Sequence, residues 1–399
     1  MEYPYKRIFL IVADSAGIGE EPDAEKFGDR GSNTWKHAAE SVGSIHVPNM
    51  ERMGLGFLDD IPGVKPFIDS DSFALALRER SNGKDTMTGH WEMMGVLTTK
   101  PFKTFTDTGF PKELIDELSL RTGHKIIGNM AMSGTEILKV LGEKQMMENS
   151  LIVYTSADSV LQIAAHEKVT GLEELYRCCE IARELCMKPE WRVGRVIARP
   201  YLGTSKADFK RTANRHDYAL KPPMATDMDI LKEHSFMTSC VGKISDIFDG
   251  AGVTKSVHTI SNLDGMDKTI DQVKNEDWTG LCFVNLVEFD SEYGHRRNPK
   301  GYARALEDFD KQLGIMIPLL KESDLLLVTA DHGNDPTFKG TDHTREKVPL
   351  LAYSKSIKRG KLLPEGDSFA NIGATILKNF NLKKNDDLIG TPIDEILGK

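Results

Sequence analysis

The sequence is poor in cysteine, and its few cysteines are not spaced for bridging or metal binding. There are five of them, an odd number, and no two form a C-x-x-C pair. Cys178, Cys179 and Cys186 fall in one stretch that is predicted to be helical. Neither a disulfide framework nor a zinc knuckle is supported, so we expect buried thiols.

Long hydrophobic runs and an excess of basic charge are also missing. No segment approaches the ~18 uncharged apolar residues of a membrane span. The first apolar run, Ile8–Ala13, is too short for a signal peptide. The net charge of -9 argues against binding nucleic acid or an anionic membrane through a basic surface. We therefore expect a cytoplasmic protein without nucleic-acid or membrane partners.

The sequence does contain apolar strands that each stop at acidic residues. Between these strands, apolar residues recur at steps of three and four, as they do in amphipathic helices. Such alternation predicts an α/β fold, in which ligands bind beyond the carboxyl ends of the strands. The strands and the residues that follow them are 6–13 with Asp14, 281–287 with Glu288 and Asp290, and 325–330 with Asp331 and His332.

Proline-containing segments at two places in the sequence predict domain boundaries, and hence two domains. Lys100-Pro101 precedes, and Lys221-Pro222-Pro223 follows, a stretch that has strands and an amphipathic helix of its own. We interpret residues 101–220 as an inserted cap domain for substrate binding. Residues 1–100 and 221–399 would then form the metal-binding catalytic core.

Six aspartate and histidine residues at or near the strand ends could converge on metal ions. Carboxylate and imidazole ligands without cysteine suit a catalytic site for Mn²⁺, Zn²⁺ or Fe²⁺. Two divalent cations would outweigh the three carboxylates slightly, which favours binding of a phosphate group. The candidate ligands are Asp14, Asp290, His295, Asp331, His332 and His343.

A polar loop at residues 83–92 carries two threonine hydroxyls between flanking glycines. A hydroxyl becomes a useful nucleophile when a nearby metal lowers its pKa. These considerations do not choose between Thr86 and Thr88. Gly17-Ile18-Gly19 hints at a dinucleotide loop, but Pro22 stands where a third glycine belongs, so an ordinary turn is favoured.

At these residues the chain resembles the alkaline phosphatase superfamily of metalloenzymes, and it does so over its whole length. The resemblance implies an α/β fold: an alkaline-phosphatase-like core with a mixed central sheet flanked by helices, plus an inserted α/β cap domain. The most specific segments are 83–92, 330–337 and 340–346, with 154–159 and 193–200 in the inserted stretch.

The resemblance also implies two Mn²⁺ ions with Thr86 between them as a phosphorylated nucleophile. The implied ligands are Asp14, Asp331 and His332 for one ion and Asp290, His295 and His343 for the other. In the branch that this chain resembles most, the activity is intramolecular phosphate transfer, an isomerase reaction. Ribose 1-phosphate or 2-deoxyribose 1-phosphate would be interconverted with the 5-phosphate through a phosphothreonine enzyme and a sugar bisphosphate intermediate.

A sugar bisphosphate such as glucose 1,6-bisphosphate would prime the enzyme, and the only implied partners are small sugar phosphates. The sequence does not decide whether Mn²⁺ or Zn²⁺ occupies the sites, or whether ribose or deoxyribose is the preferred sugar. It also leaves the oligomeric state open, with a monomer among the alternatives. The residues that we expect to contact the sugar or its distal phosphate are Ser156, Asp158, Arg195 and Arg199 of the cap and Lys243 of the core.

Two other interpretations compete on the sequence alone. A cofactor-independent phosphoglycerate mutase or a plain phosphomonoesterase would share the metal motifs. The former typically has its serine in an Asp-Asn-Ser setting, where this chain has Asp85-Thr86. A metal-binding or regulatory protein without activity could keep the fold, but six ligands together with a nucleophile disfavour it.

Overall fold

The computed structural model describes residues 3–156, 158–275 and 277–398. The strands are β1 Arg7–Ala13, β2 Ser72–Leu77, β3 Ile126–Ala131, β4 Leu151–Thr155, β5 Val160–His166, β6 Arg195–Leu202, β7 Lys210–Arg211, β8 His216–Ala219, β9 Met237–Val241, β10 Lys255–Val257, β11 Gly280–Leu286, β12 Asp324–Thr329 and β13 Val348–Tyr353. The helices are α1 Ala24–Phe27, α2 Thr34–Glu40, α3 Pro48–Arg52, α4 Thr86–Met93, α5 Lys112–Thr122, α6 Gly134–Glu148, α7 Leu172–Leu185, α8 Asp227–Glu233, α9 Ile244–Ile247, α10 Asn262–Lys274, α11 Pro299–Met316 and α12 Asn371–Asn379.

The chain divides into two compact units. Met1–Pro101 and Lys221–Lys399 form one of them, here called the core unit, and Phe102–Leu220 form the other, the inserted unit. None of the described helices combines the length and the apolar character that a bilayer crossing requires.

The core unit is built on a seven-stranded mixed sheet with the order β10-β9-β11-β1-β12-β13-β2. β1 lies in the middle and pairs in parallel with β11 on one side and β12 on the other. β13 is antiparallel to both β12 and β2. The α/β fold with a mixed central sheet, predicted from the sequence, is confirmed.

The three strands predicted to end in acidic residues are therefore neighbours. Every residue of β1, β11 and β12 is buried, which explains their unbroken apolar runs. Because they are parallel, their carboxyl ends lie at the same edge of the sheet, where the residues that follow them can meet. Among the helices, α11 confirms the predicted apolar spacing: it begins at the Asn298 cap with Pro299 in its first turn and buries Leu306, Phe309 and Leu313.

The inserted unit has its own mixed sheet, in the order β3-β4-β5-β6-β7, with β8 also paired to β6. Two apolar cores form from different residues of its strands. One includes Val153, Val196 and residues of α5 and α7, and the other includes Tyr154 and residues of α6. The two cores explain how residues 102–220 can fold as a compact body. All five cysteines of the chain are buried and unbridged, as expected.

A buried ion pair fixes the amino ends of β1 and β12. Arg7 Nε and Nη2 donate to the two carboxylate oxygens of Asp324 at 2.8 and 2.7 Å, and both side chains are at most 2% exposed. Arg7 also lies directly opposite Asp324 in the strand register, which continues without a shift to Val12 and Thr329. The residues that follow the two strands, Asp14 and Asp331, therefore emerge level with each other.

We expect Arg7→Met to lower the free energy of unfolding of the core unit by about 3–5 kcal/mol, because Asp324 would be left buried without its counter-charge. The double variant Arg7→Met/Asp324→Asn should recover most of this loss. Urea unfolding followed by circular dichroism measures both. A double variant no more stable than the single one would contradict the explanation.

Candidate metal centre and active site

Asp14, Asp331 and His332, here called the first ligand set, meet at the carboxyl edge of the core sheet. His332 Nε2 lies 3.4 Å from Asp14 Oδ1 and 3.3 Å from Asp331 Oδ2. All three side chains are at most 1% exposed. Burial, and next the charge of Asp331, raise the pKa of Asp14. Burial alone would lower the pKa of His332, but Asp331 and Asp14 raise it well above its ordinary value.

Asp290, His295 and His343, the second ligand set, lie beside the first. Asp290 belongs to the π-helical turn Phe289–Gly294, just after β11, and His295 is the next residue. Nε2 of His295 lies 3.1 Å from Asp290 Oδ2, and Nε2 of His343 lies 3.5 Å from Asp290 Oδ1. Burial opposes ionisation of Asp290, but its two imidazole neighbours hold its pKa well below the usual range. The ring centroids of His332 and His343 are 4.2 Å apart, which joins the two sets.

The donors of both sets fit divalent cations. Oδ1 of Asp14 is buried and accepts no hydrogen bond from the described part of the chain, and Oδ2 of Asp331 is buried beside the imidazoles of His332 and His90. Carboxylate oxygens that converge with an imidazole nitrogen in this way are the ligands that Mn²⁺ and similar ions take. The structure thus brings all six sequence-derived candidates together, and their role as metal ligands stays a prediction.

The structure separates the two threonines that the sequence left equivalent. Asp85 caps α4 through Thr88: its carboxylate oxygens accept from Thr88 N at 3.1 Å and from Thr88 Oγ1 at 2.6 Å. Thr88 is fully buried by this arrangement. Thr86, the first residue of the helix, is half-buried, and its Oγ1 lies 3.2 Å from His332 Nε2. The geometry therefore favours Thr86 as the reactive hydroxyl.

Sequence reasoning missed the groups that orient the first ligand set. Asn285 Nδ2 donates to Asp14 Oδ2 at 2.8 Å, and the backbone N–H of Ser15 donates to Asp331 Oδ1 at 2.9 Å. Each bond fixes one carboxylate oxygen and leaves the other for the cluster. The sequence feature that could have pointed to Asn285 is that it is the one strongly polar side chain within the otherwise apolar, buried strand β11.

Asn334 and Arg297 orient the second ligand set, and they were missed as well. Asn334 Nδ2 donates to Asp290 Oδ1 at 2.7 Å, and Arg297 Nη1 donates to Asn334 Oδ1 at 2.6 Å. The guanidinium also donates to the carbonyl oxygens of Gly294 and Asp342, at 2.9 Å each. Arg297 thus ties the turn that carries Asp290 to the loop that precedes His343.

Glu346 is a buried carboxylate that joins the loops after β1 and β12. Its Oε2 accepts from the backbone N–H groups of Thr34 and Gly19 at 2.9 and 3.2 Å. Its Oε1 accepts from the hydroxyls of Thr34 and Thr344 at 2.9 and 2.7 Å. The Thr34 hydroxyl in turn accepts the N–H of Asn334 at 3.1 Å. Burial raises the pKa of Glu346 to about 7.

Two glycines of the metal loops make room for this carboxylate. A Cβ on Gly17 would stand 2.5 Å from Glu346 Oε2, and one on Gly333 would stand 2.5 Å from Glu346 Oε1. Gly17 belongs to the turn after β1, and Gly333 follows His332 directly. The Gly17-Ile18-Gly19 pattern is explained by this close approach, so the turn predicted there needs no nucleotide.

The inserted unit holds four of the five residues predicted to contact the sugar. Arg195 Nη2 lies 3.4 Å from Asp158 Oδ2, just beyond the end of β4, where Ser156 also lies. Arg199 is farther along β6 and donates from Nε to Gln162 Oε1 at 2.9 Å. Burial, then the charges of Arg215 and Arg211, lower the pKa of Arg199 to about 10.

The fifth residue, Lys243, belongs to the core unit and directly precedes the short helix α9. The contacts of these five residues with a substrate remain predictions.

Known proteins resemble this chain over almost its whole length. A model of the metalloenzyme superfamily matches residues 6–384. A phosphopentomutase from Clostridium botulinum is 58% identical over 98% of this chain and 99% of its own length. Another from Clostridium perfringens is 58% identical over 98% of each chain. Among solved structures, a phosphoglycerate mutase from Leishmania mexicana covers 98% of each chain with a TM-score of 0.49 and 12% identity.

We expect Glu346→Ala to destabilise the metal-free core unit and to weaken its binding of Mn²⁺. Two N–H groups and two hydroxyls would lose their acceptor, and each buried group left unpaired costs about 1–3 kcal/mol. Thermal unfolding and calorimetric titration with Mn²⁺ measure the two effects. The matched control is Glu365→Ala, at a carboxylate that is 40% exposed. An unchanged melting temperature and affinity in Glu346→Ala would refute the role of this carboxylate.

Proposed function

The chain belongs to the phosphopentomutase family of the metalloenzyme superfamily and is an intramolecular phosphotransferase, and we propose that it works through a phosphothreonine at Thr86. Its substrates would be ribose or 2-deoxyribose carrying a phosphate at carbon 1 or carbon 5. The relatives that carry the name phosphopentomutase support this substrate class.

The observation that carries the proposal is the position of Thr86. Its hydroxyl oxygen is 3.2 Å from His332 Nε2, beside both ligand sets, and it stands on the first residue of α4. Backbone N–H groups at the start of a helix point outward, together with the positive end of the helix dipole. A phosphate on Thr86 would meet these groups and the ligand sets at once.

The ligand sets suit two divalent cations, for which we propose Mn²⁺. When bound, such cations would neutralise charge on the oxygens of the transferring phosphoryl group. The first ligand set would hold the cation nearer Thr86, and the second ligand set would hold the other. Asn285 orients the carboxylate of Asp14 in the first ligand set by donating a hydrogen bond to it, and Asn334 does the same for Asp290 in the second ligand set.

Phospho-Thr86 would donate its phosphoryl group to the free hydroxyl of the sugar monophosphate. The bond from phosphorus to Thr86 Oγ breaks, a bond to the sugar oxygen forms, and the proton of that hydroxyl is released. The product is a sugar bisphosphate, which then returns its other phosphoryl group to Thr86. A sugar bisphosphate such as glucose 1,6-bisphosphate would restore phospho-Thr86 after loss to water.

The inserted unit supports a mutase because it supplies groups for recognising a sugar phosphate. Guanidinium groups bind phosphate through two parallel hydrogen bonds, and carboxylates accept from sugar hydroxyls. Arg195, with Asp158 beside it, offers both kinds of group. We propose small sugar phosphates as the partners of this protein and the cytoplasm as its place of action.

Thr86→Ala should lower the rate at which ribose 1-phosphate and ribose 5-phosphate are interconverted in the presence of Mn²⁺ by a factor on the order of 10³ or more. The reason is that this variant lacks the hydroxyl that accepts the phosphoryl group. Thr86→Ser keeps a hydroxyl and should retain activity. Coupled enzyme assays of the two sugar phosphates measure the rate in each variant, and intact-protein mass spectrometry detects the phosphorylated enzyme. If the unaltered protein releases mainly inorganic phosphate, the mutase proposal is refuted. If Thr86→Ala keeps full activity, the assignment of Thr86 as the nucleophile is refuted.

A further inference from the structure

A buried histidine lies directly behind the proposed nucleophile. His90 is in α4, four residues after Thr86, fully buried, with its ring 5.7 Å from that of Phe283 in β11. Its Nδ1 lies 2.8 Å from the carbonyl oxygen of Thr86 and 3.1 Å from Asp331 Oδ2. Its Nε2 lies 3.4 Å from Asn285 Nδ2.

These contacts fix the proton on one ring nitrogen. Nδ2 of Asn285 can only donate, and it also donates to Asp14 Oδ2 at 2.8 Å. Nε2 of His90 must therefore accept, which leaves the proton on Nδ1, facing the Thr86 carbonyl and Asp331. A continuous chain of polar contacts runs from Asp14 through Asn285 and His90 to Asp331 and to the backbone of Thr86.

We propose that His90 and Asn285 are positioning residues that hold both carboxylates of the first ligand set in register with the first turn of α4. The inference rests on the proposed metal-binding role of Asp14 and Asp331. Neither residue touches the transferred phosphate. Their effect is to fix the position of the bound cation relative to the Thr86 hydroxyl. Groups that orient metal ligands in this way typically change metal affinity by about 10- to 100-fold.

A pair of amide variants separates positioning from simple filling of space. In His90→Asn the amide N–H can take the place of Nδ1–H, whereas in His90→Gln the longer side chain carries its amide toward the position of Nε2. The metal-free proteins are titrated with Mn²⁺ by calorimetry. His90→Gln should bind one of two Mn²⁺ ions at least about tenfold more weakly, and His90→Asn, which keeps an N–H toward Asp331 but loses the contact with Asn285, should lose less affinity than His90→Gln. His166→Asn, at a buried histidine of the inserted unit, is the control and should leave both affinities unchanged.

Equal Mn²⁺ affinities in His90→Asn and His90→Gln would overturn the inference. If His90→Gln does not fold, Asn285→Ala takes its place and should show the same selective loss at one ion. Failure of the unaltered protein to bind Mn²⁺ would instead refute the proposed metal function on which this inference rests.

Discussion

The candidate centre depends on holding two carboxylates, those of Asp14 and Asp331, side by side where water is excluded. Burial and the neighbouring charge of Asp331 both raise the pKa of Asp14, so ionising the pair is costly without a compensating cation. The two carboxylates in turn raise the pKa of the neighbouring His332.

The surrounding groups orient the carboxylates with little loss of the negative charge that a cation requires. The amides of Asn285 and Asn334 and the N–H of Ser15 each bond to one carboxylate oxygen. These donors are neutral, so the field at the remaining oxygens stays strongly negative. The carboxylate of Glu346 is placed one step farther away, where it fixes the loops and not the ligands themselves. At the opposite end of the strands, the pairing of Arg7 with Asp324 sets the register on which the positions of Asp14 and Asp331 rest.

Sequence patterns predicted the parts of this architecture that are local. An apolar run that stops at an acidic residue marks both a buried strand and the position of its terminal ligand, which is why the order β11, β1, β12 brought the predicted residues together. The supporting groups were not predictable in this way, because their partners are far away in the chain. Glu346 bonds to Thr34, 312 residues away, and Asn285 bonds to Asp14, 271 residues away. The family resemblance had already implied Thr86 over Thr88, but a physical reason for that choice needed the cap geometry of α4, since both threonines lie in the same polar loop.

The two ligand sets differ in charge, and this difference would give cations bound there different properties. The first ligand set has two carboxylates and one imidazole, whereas the second ligand set has one carboxylate and two imidazoles. Arg297, bonded to Asn334, adds positive charge behind Asp290 in the second ligand set. A cation in the first ligand set would therefore be held more tightly and neutralised more fully. A cation in the second ligand set would keep more of its charge for an incoming phosphate, so the asymmetry of the ligands favours one orientation of the phosphoryl group.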